Sequence, residues 1–150
     1  MPPGKLIEPG CRVVKIGING RFCGAPLAGV QRFSRELSSR IYRRKGGVLF
    51  LPRGTAPPTG LPRQVEVRLG RARGHLWEQL ELPGAAASCD VVLHPANTCP
   101  LRGEGHVVVV HDVLPLSHPA WFDLRFSLWY RLVVKRAVKG AERVLTVSRW

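Results

Sequence analysis

The chain has 150 residues, 45% of them hydrophobic, a formal charge of +13 and a pI near 11.0. That is enough chain for one domain with its own core, and the basic surface leaves nucleic acid, anionic lipid and sugar nucleotides all open as anionic partners. It excludes a membrane-spanning helix, because no apolar run approaches the ~20 residues required. It also excludes a zinc site of ordinary spacing, because Cys11, Cys23, Cys89 and Cys99 form no C-x-x-C pair.

Residues 1–10, with prolines at positions 2, 3 and 9, are expected to be a flexible leader. Val13, Val14, Ile16 and Ile18 are β-branched and nearly continuous, which predicts a strand buried on both faces. Asn19 to Ala28 is predicted as a loop, broken by Gly20, Gly24 and Pro26. A helix follows from Gly29 to about Arg44, with Val30, Phe33, Leu37 and Ile41 on one face, stopped by Gly46-Gly47. Val48 to Leu51 reads as a second strand, Pro52 to Arg63 as a proline-rich loop, and Val65 to Leu69 as a third strand.

Leu76 to about Ala87 predicts a helix interrupted near Pro83-Gly84. Val91 to Leu93 and Val107 to Val110 are buried strands. The longest helix is predicted from Pro119 to Lys139, with the proline in its first turn. On it Asp123, Ser127, Arg131, Lys135 and Lys139 step by four and draw one polar stripe. Val144 to Val147 is a last strand, followed directly by Ser148-Arg149-Trp150. A sheet ending so leaves apolar surface that a further segment or a partner would cover.

Strands alternating with helices predict an α/β fold, a Rossmann-like parallel sheet with helices on both faces. Ligands of such sheets bind outside the carboxyl ends of the strands, where Asn19 to Ala28, His94 to Pro100 and His111 to His118 fall. The four cysteines suit free thiols in a reducing cytoplasm, and the N-terminus lacks a signal-peptide core; both point to a cytoplasmic chain.

The stretch "VKIGING" resembles the opening of glyceraldehyde-3-phosphate dehydrogenase. A dinucleotide turn needs G-x-G-x-x-G, and counting from Gly20 the later glycine positions hold Phe22 and Ala25. "VLFLPRG" offers no acid for a ribose. Gly29-Val30-Gln31-Arg32 instead places orphan amides and a cation at a helix N-terminus, an anion cradle or simply a close-packing glycine with an arginine in solvent.

Three segments, "INGRFCGAPLAGVQRFSREL", "LWEQLELPGAAASCDVVLHPANTCPL" and "HVVVVHDVLPLSHPAWFDLRFSLWYRLVVKRAVKGAERVLTVSRW", together resemble the N-terminal half of the family 4 glycosyltransferases of GT-B architecture. The resemblance implies residues 11–150 as an N-terminal Rossmann-like domain, with the C-terminal donor-binding domain absent and supplied in cis or in trans. It implies transfer of a sugar from a nucleotide-sugar donor to an acceptor hydroxyl, with retention, with no metal or other cofactor, and with a sugar or lipid-linked acceptor.

On that reading His111, as the catalytic-site histidine, contacts the donor sugar or orders the cleft, or it is a buried histidine satisfied by a main-chain carbonyl, while Gly20, Arg21, Gly29 and Arg32 face the donor diphosphate or acceptor. Asn97 hydrogen-bonds a hydroxyl or caps its own loop, and Asp112 binds at the same edge or fixes the loop. Trp77, Glu78 and Gln79 read as helix and packing residues, with loop binding open to Glu78. Trp121, Phe122, Trp129 and Tyr130 read as core, or as a peripheral membrane or acceptor-lipid surface aided by Arg125, Arg131, Lys135 and Arg136. The alternatives are an inactive truncated or split half, or a basic module for anions; nucleic acid is disfavoured because no helix concentrates the arginines.

Overall fold

A computed structural model describes residues 14–147; the expected leader, Cys11 and Ser148-Arg149-Trp150 lie outside the described residues. Six strands form one all-parallel sheet: β1 (Ile16–Asn19), β2 (Gly47–Leu51), β3 (Val65–Leu69), β4 (Val91–His94), β5 (His106–Val110) and β6 (Arg143–Thr146). Their order across the sheet is β3-β2-β1-β4-β5-β6, with every pair parallel. The chain is therefore an α/β protein with a Rossmann-like sheet. The order reverses between β1 and β4, so the crevice such sheets offer to ligands opens over the ends of those two strands.

The strands are β-branched runs because both faces are covered, and the period of two sorts their side chains. Ile18, Leu49, Leu51, Leu93 and Val109 point to one face and pack with Tyr42, Leu37 and Ile41 of α1 (Gly29–Lys45). Val48, Phe50 and Val92 point to the other and pack with Trp77 of α2 (Gly74–Leu80) and with Leu82 and Ala86 of α3 (Leu82–Ala86). Further along that face Val108 and Val110 meet Cys99 and Ala137. A short α4 (Leu114–Ser117) follows β5, and Ala137 lies on α5 (Leu124–Gly140). β6 is an edge strand, exposed along its length.

Several boundaries differ from the sequence expectation, each for a local reason. Asn19 is the last residue of β1 rather than the first of a loop, and the loop contains a 3-10 turn, Gly20–Gly24, capped by the Asn19 side chain. The buried line of α1 is Ser34, Ser38 and Tyr42, while Phe33 turns outward; small serines let the helix approach the sheet, and Leu37 and Ile41 pack from its flank. The α2–α3 break falls at Glu81, because Pro83 takes a first-turn position of α3 where its missing N–H costs nothing.

Pro119 does not open the long helix; Pro119–Trp121 is a separate 3-10 turn, and Asp123 caps α5 by accepting from the N–H groups of Arg125 and Phe126. The expected polar stripe is broken at Ser127, which is buried and donates to Pro119 O. No helix among the described residues is long and apolar enough to cross a membrane.

Candidate functional site

The β1–β4 switch point is occupied by a buried polar cluster built around a carboxylate. Asn19 and His94 end the two strands and project to the same face, where α2 lays Glu78 across them. The Glu78 carboxylate is fully buried and fully engaged. Asn19 Nδ2 donates to Oε1 at 2.6 Å, His75 Nδ1–H donates to Oε2 at 3.0 Å, and the Thr98 hydroxyl donates at 3.0–3.1 Å. Arg21 Nε sits 3.5 Å from Oε1, too far and too oblique for a hydrogen bond but within ion-pair reach. Arg21 also donates to Thr98 Oγ1 at 2.8 Å and to His75 Nε2 at 3.2 Å.

A buried charge persists only when paired and hydrogen-bonded. Burial pushes the Glu78 carboxyl upward. The His75 hydrogen bond and the Arg21 charge overcome it and bring the pKa down to about 2.

The network fixes every tautomer around it. Arg21 N–H donates to Asn19 Oδ1, so the Asn19 amide nitrogen faces inward and donates to His94 Nδ1 at 3.1 Å. His94 then carries its proton on Nε2 and donates to His106 Nδ1 at 2.9 Å, and His106 Nε2–H donates to Arg102 O at 2.9 Å. A chain of hydrogen bonds thus runs under the sheet face from the carboxyl edge to the amino edge. Burial, and then the neighbouring His106, lower the His94 pKa to about 3, so its ring is neutral.

Above this cluster lies an open cleft of about 240 Å³. Its polar floor is Arg21, Asn97 and Thr98, and Gln31 reaches it from the first turns of α1. Its opposite wall is aromatic: Phe126, Trp129 and Tyr130 of α5, with His75 edge-on to Trp129 at 4.3 Å between ring centroids. Burial, then the Asp112 charge, push the Tyr130 phenol up to about 12, and it donates to Asp112 O at 3.1 Å. Such a surface, with aromatic faces on one side and hydrogen-bonding groups on the other, suits a small polyhydroxylated molecule. Among the described residues no group of three or more His, Cys, Asp or Glu is placed to hold a metal ion.

Of the residues singled out in the sequence, Arg21 and Asn97 line this cleft, but both are committed to the protein. Arg21 serves Glu78, Thr98 and His75, so its guanidinium is held in the cluster instead of pointing at a diphosphate. Asn97 stands at φ 64°, and its side-chain oxygen accepts from His111 N–H at 2.7 Å, which makes it a cap of its own loop.

Gly20 is buried against β2; a Cβ there would lie 2.6 Å from Leu51 and 2.8 Å from Phe50 O, so packing explains its lack of a side chain. His111 is held by its own loops: Nε2–H donates to Pro95 O at 2.7 Å and the ring sits edge-on to Phe33. Only its Nδ1 remains for an outside partner, as an acceptor. Asp112 is exposed and accepts from Leu114 N–H, capping α4. Gly29 and Arg32 are exposed at the N-terminus of α1, with open space over Gly29, and neither lines the cleft.

His75, His94 and Thr98 are the residues that sequence reading passed over; Glu78, read as packing or loop-binding, binds Thr98 and Arg21 of the two loops. The one available signal was a histidine and a carboxylate three apart in a short helix, a spacing that puts both on one face. Comparison with protein-family models, with curated proteins and with solved structures finds no match to this chain.

Proposed function

We propose that this chain is the acceptor-side domain of a nucleotide-sugar-dependent glycosyltransferase, with the cleft over β1 and β4 as its sugar-binding surface. The observation that carries the reading is the position and lining of that cleft. It opens at the switch point of the 3-2-1-4-5-6 sheet, and it sets an aromatic wall against a polar floor. The in-register resemblance of three segments to family 4 glycosyltransferases supports the same reading from the sequence.

On this proposal Trp129 and Phe126 offer ring faces to the C–H surface of a sugar, while Gln31 meets its hydroxyls. Glu78 is a positioning residue; it fixes Arg21, His75 and Thr98 and touches no substrate. The exposed amides at the start of α1, with Arg32 beside them, face whatever carries the donor phosphates.

Saturation-transfer NMR on the full chain, with simple hexosides and with uridine- and guanosine-diphosphate hexoses, tests the reading. The expected result is saturation of glycoside C–H protons, abolished by Trp129→Ala and retained by Trp129→Phe. Absence of transfer to every sugar ligand, or transfer indifferent to Trp129→Ala, rejects it.

A further inference from the structure

The outward face of α5 bears a feature separate from the cleft. Its inward face is Ser127, Tyr130, Val133, Val134 and Ala137. On the opposite side Leu124, Leu128 and Leu132 repeat every four residues and form one ridge, 72%, 58% and 51% exposed. Trp121, 69% exposed, stands in the turn just before the helix. Leu128 and Leu132 share a shallow depression with Arg131, Lys135, Arg136 and Lys139. From Leu124 to Gly140 the helix contains no Asp or Glu, so its cations meet no acid along its length.

Each half of this pattern restricts the occupant. The cations repel a second copy of the same face and any basic partner. A nucleic acid would welcome the cations, but it offers no apolar surface to cover the exposed leucines that alternate with them. A bilayer with anionic headgroups accepts both, taking the leucines into the headgroup–acyl boundary while the long stems of the interleaved lysines and arginines carry their charges out to the phosphates. We infer that α5 docks the chain on an anionic membrane surface, lying in the plane of the interface. This inference does not depend on what the cleft binds.

Cosedimentation of the full chain with phosphatidylglycerol–phosphatidylcholine vesicles, against phosphatidylcholine alone, tests it. The chain should sediment only with the anionic vesicles and be released by salt as the charges are screened. Leu128→Asp/Leu132→Asp, whose side chains are exposed and whose fold circular dichroism would verify, should lower the partition coefficient about tenfold or more. Lys135→Ser/Arg136→Ser/Lys139→Ser should lower it about a hundredfold. A wild-type chain that stays in the supernatant overturns the inference, and so does a leucine variant that binds as well as wild type. Salt-dependent binding to a DNA or RNA duplex, indifferent to the leucine substitutions and without vesicle binding, would assign the face to nucleic acid and overturn it equally.

Discussion

Asn19 and Glu78, 59 residues apart in the chain, meet at 2.6 Å with both side chains buried. That contact ties the end of the first strand to the helix that crosses the sheet before the fourth, and it locks the floor of the cleft. Because the carboxylate accepts from Asn19, Thr98 and His75 together, replacing one oxygen by NH₂ sets donor against donor. Glu78→Gln is therefore expected to cost roughly 2–4 kcal/mol in urea unfolding, although it preserves shape and removes a buried charge. A loss under about 0.5 kcal/mol would mean that the carboxylate is not held as described.

Acid should unfold this protein in two windows. The folded pKa of His94, about 3, lies below its ordinary 6.5, so the unfolded chain takes up that proton first as pH falls. Its contribution to stability is whole above pH 6.5 and drains away between 6.5 and about 3. Glu78 has the same sign and a lower window: whole above about 4.5, lost as pH falls towards about 2. Stability should thus begin to fall well before ordinary carboxylates titrate, with a slope approaching about 1.4 kcal/mol per pH unit, the limit for one proton. His94→Gln should flatten the upper window and leave the lower one, in urea unfolding measured from pH 7 to pH 3. An unchanged slope between pH 6.5 and 5 would assign that proton elsewhere.

The sheet was legible in the sequence because each parallel strand announces itself locally. Runs such as Val107–Val110 and Val48–Leu51 need only their own composition to be recognised, and all six strands fall within a few residues of where they were expected. The site was not legible, because its contacts are long-range. Glu78 meets partners at positions 19, 75 and 98, and His94 joins Asn19 to His106; no local window contains these sets.

The residues that looked chemical, His111, Asn97 and Asp112, owe that look to being polar groups in tight loops. Tight loops use such groups to satisfy their own backbone. The outward leucines of α5 were hidden for a different reason. Periodicity finds the faces of a helix but does not say which one the sheet will take, and the buried face reaches into the expected polar stripe at Ser127.

Two glycines at the carboxyl edge should separate packing from ligand approach. Gly20→Ala drives a Cβ into Leu49, Leu51 and the main-chain oxygen of Phe50, a rigid strand with little room to yield. A destabilisation of about 1–3 kcal/mol is expected, by thermal or urea unfolding. Gly29→Ala meets nothing within 4 Å and sits at the first position of a helix, so it should be neutral or stabilising by up to about 1 kcal/mol. Should Gly29→Ala instead abolish binding of a nucleoside diphosphate sugar while leaving stability intact, the open amides over α1 would be a ligand surface in their own right. Equal stability effects at the two sites would contradict the packing described for Gly20.

Asn97 offers the last separation, between a loop cap and a ligand-binding amide. Its backbone is in the left-handed region, and its side-chain oxygen holds His111 N–H. Asn97→Gly keeps the first and loses the second, at a cost of about 1 kcal/mol for one hydrogen bond. Asn97→Ala loses both and should cost about 1–2 kcal/mol more, because a Cβ is strained at that φ. Asn97→Asp retains an acceptor and tolerates the conformation, so it should be the mildest of the three. The order Asp, Gly, Ala in falling melting temperature is the signature of a cap. A ligand-binding amide would leave the three equally stable and show its loss only as weakened binding in the cleft, with Asp as poor as Ala because neither carries the NH₂ donor.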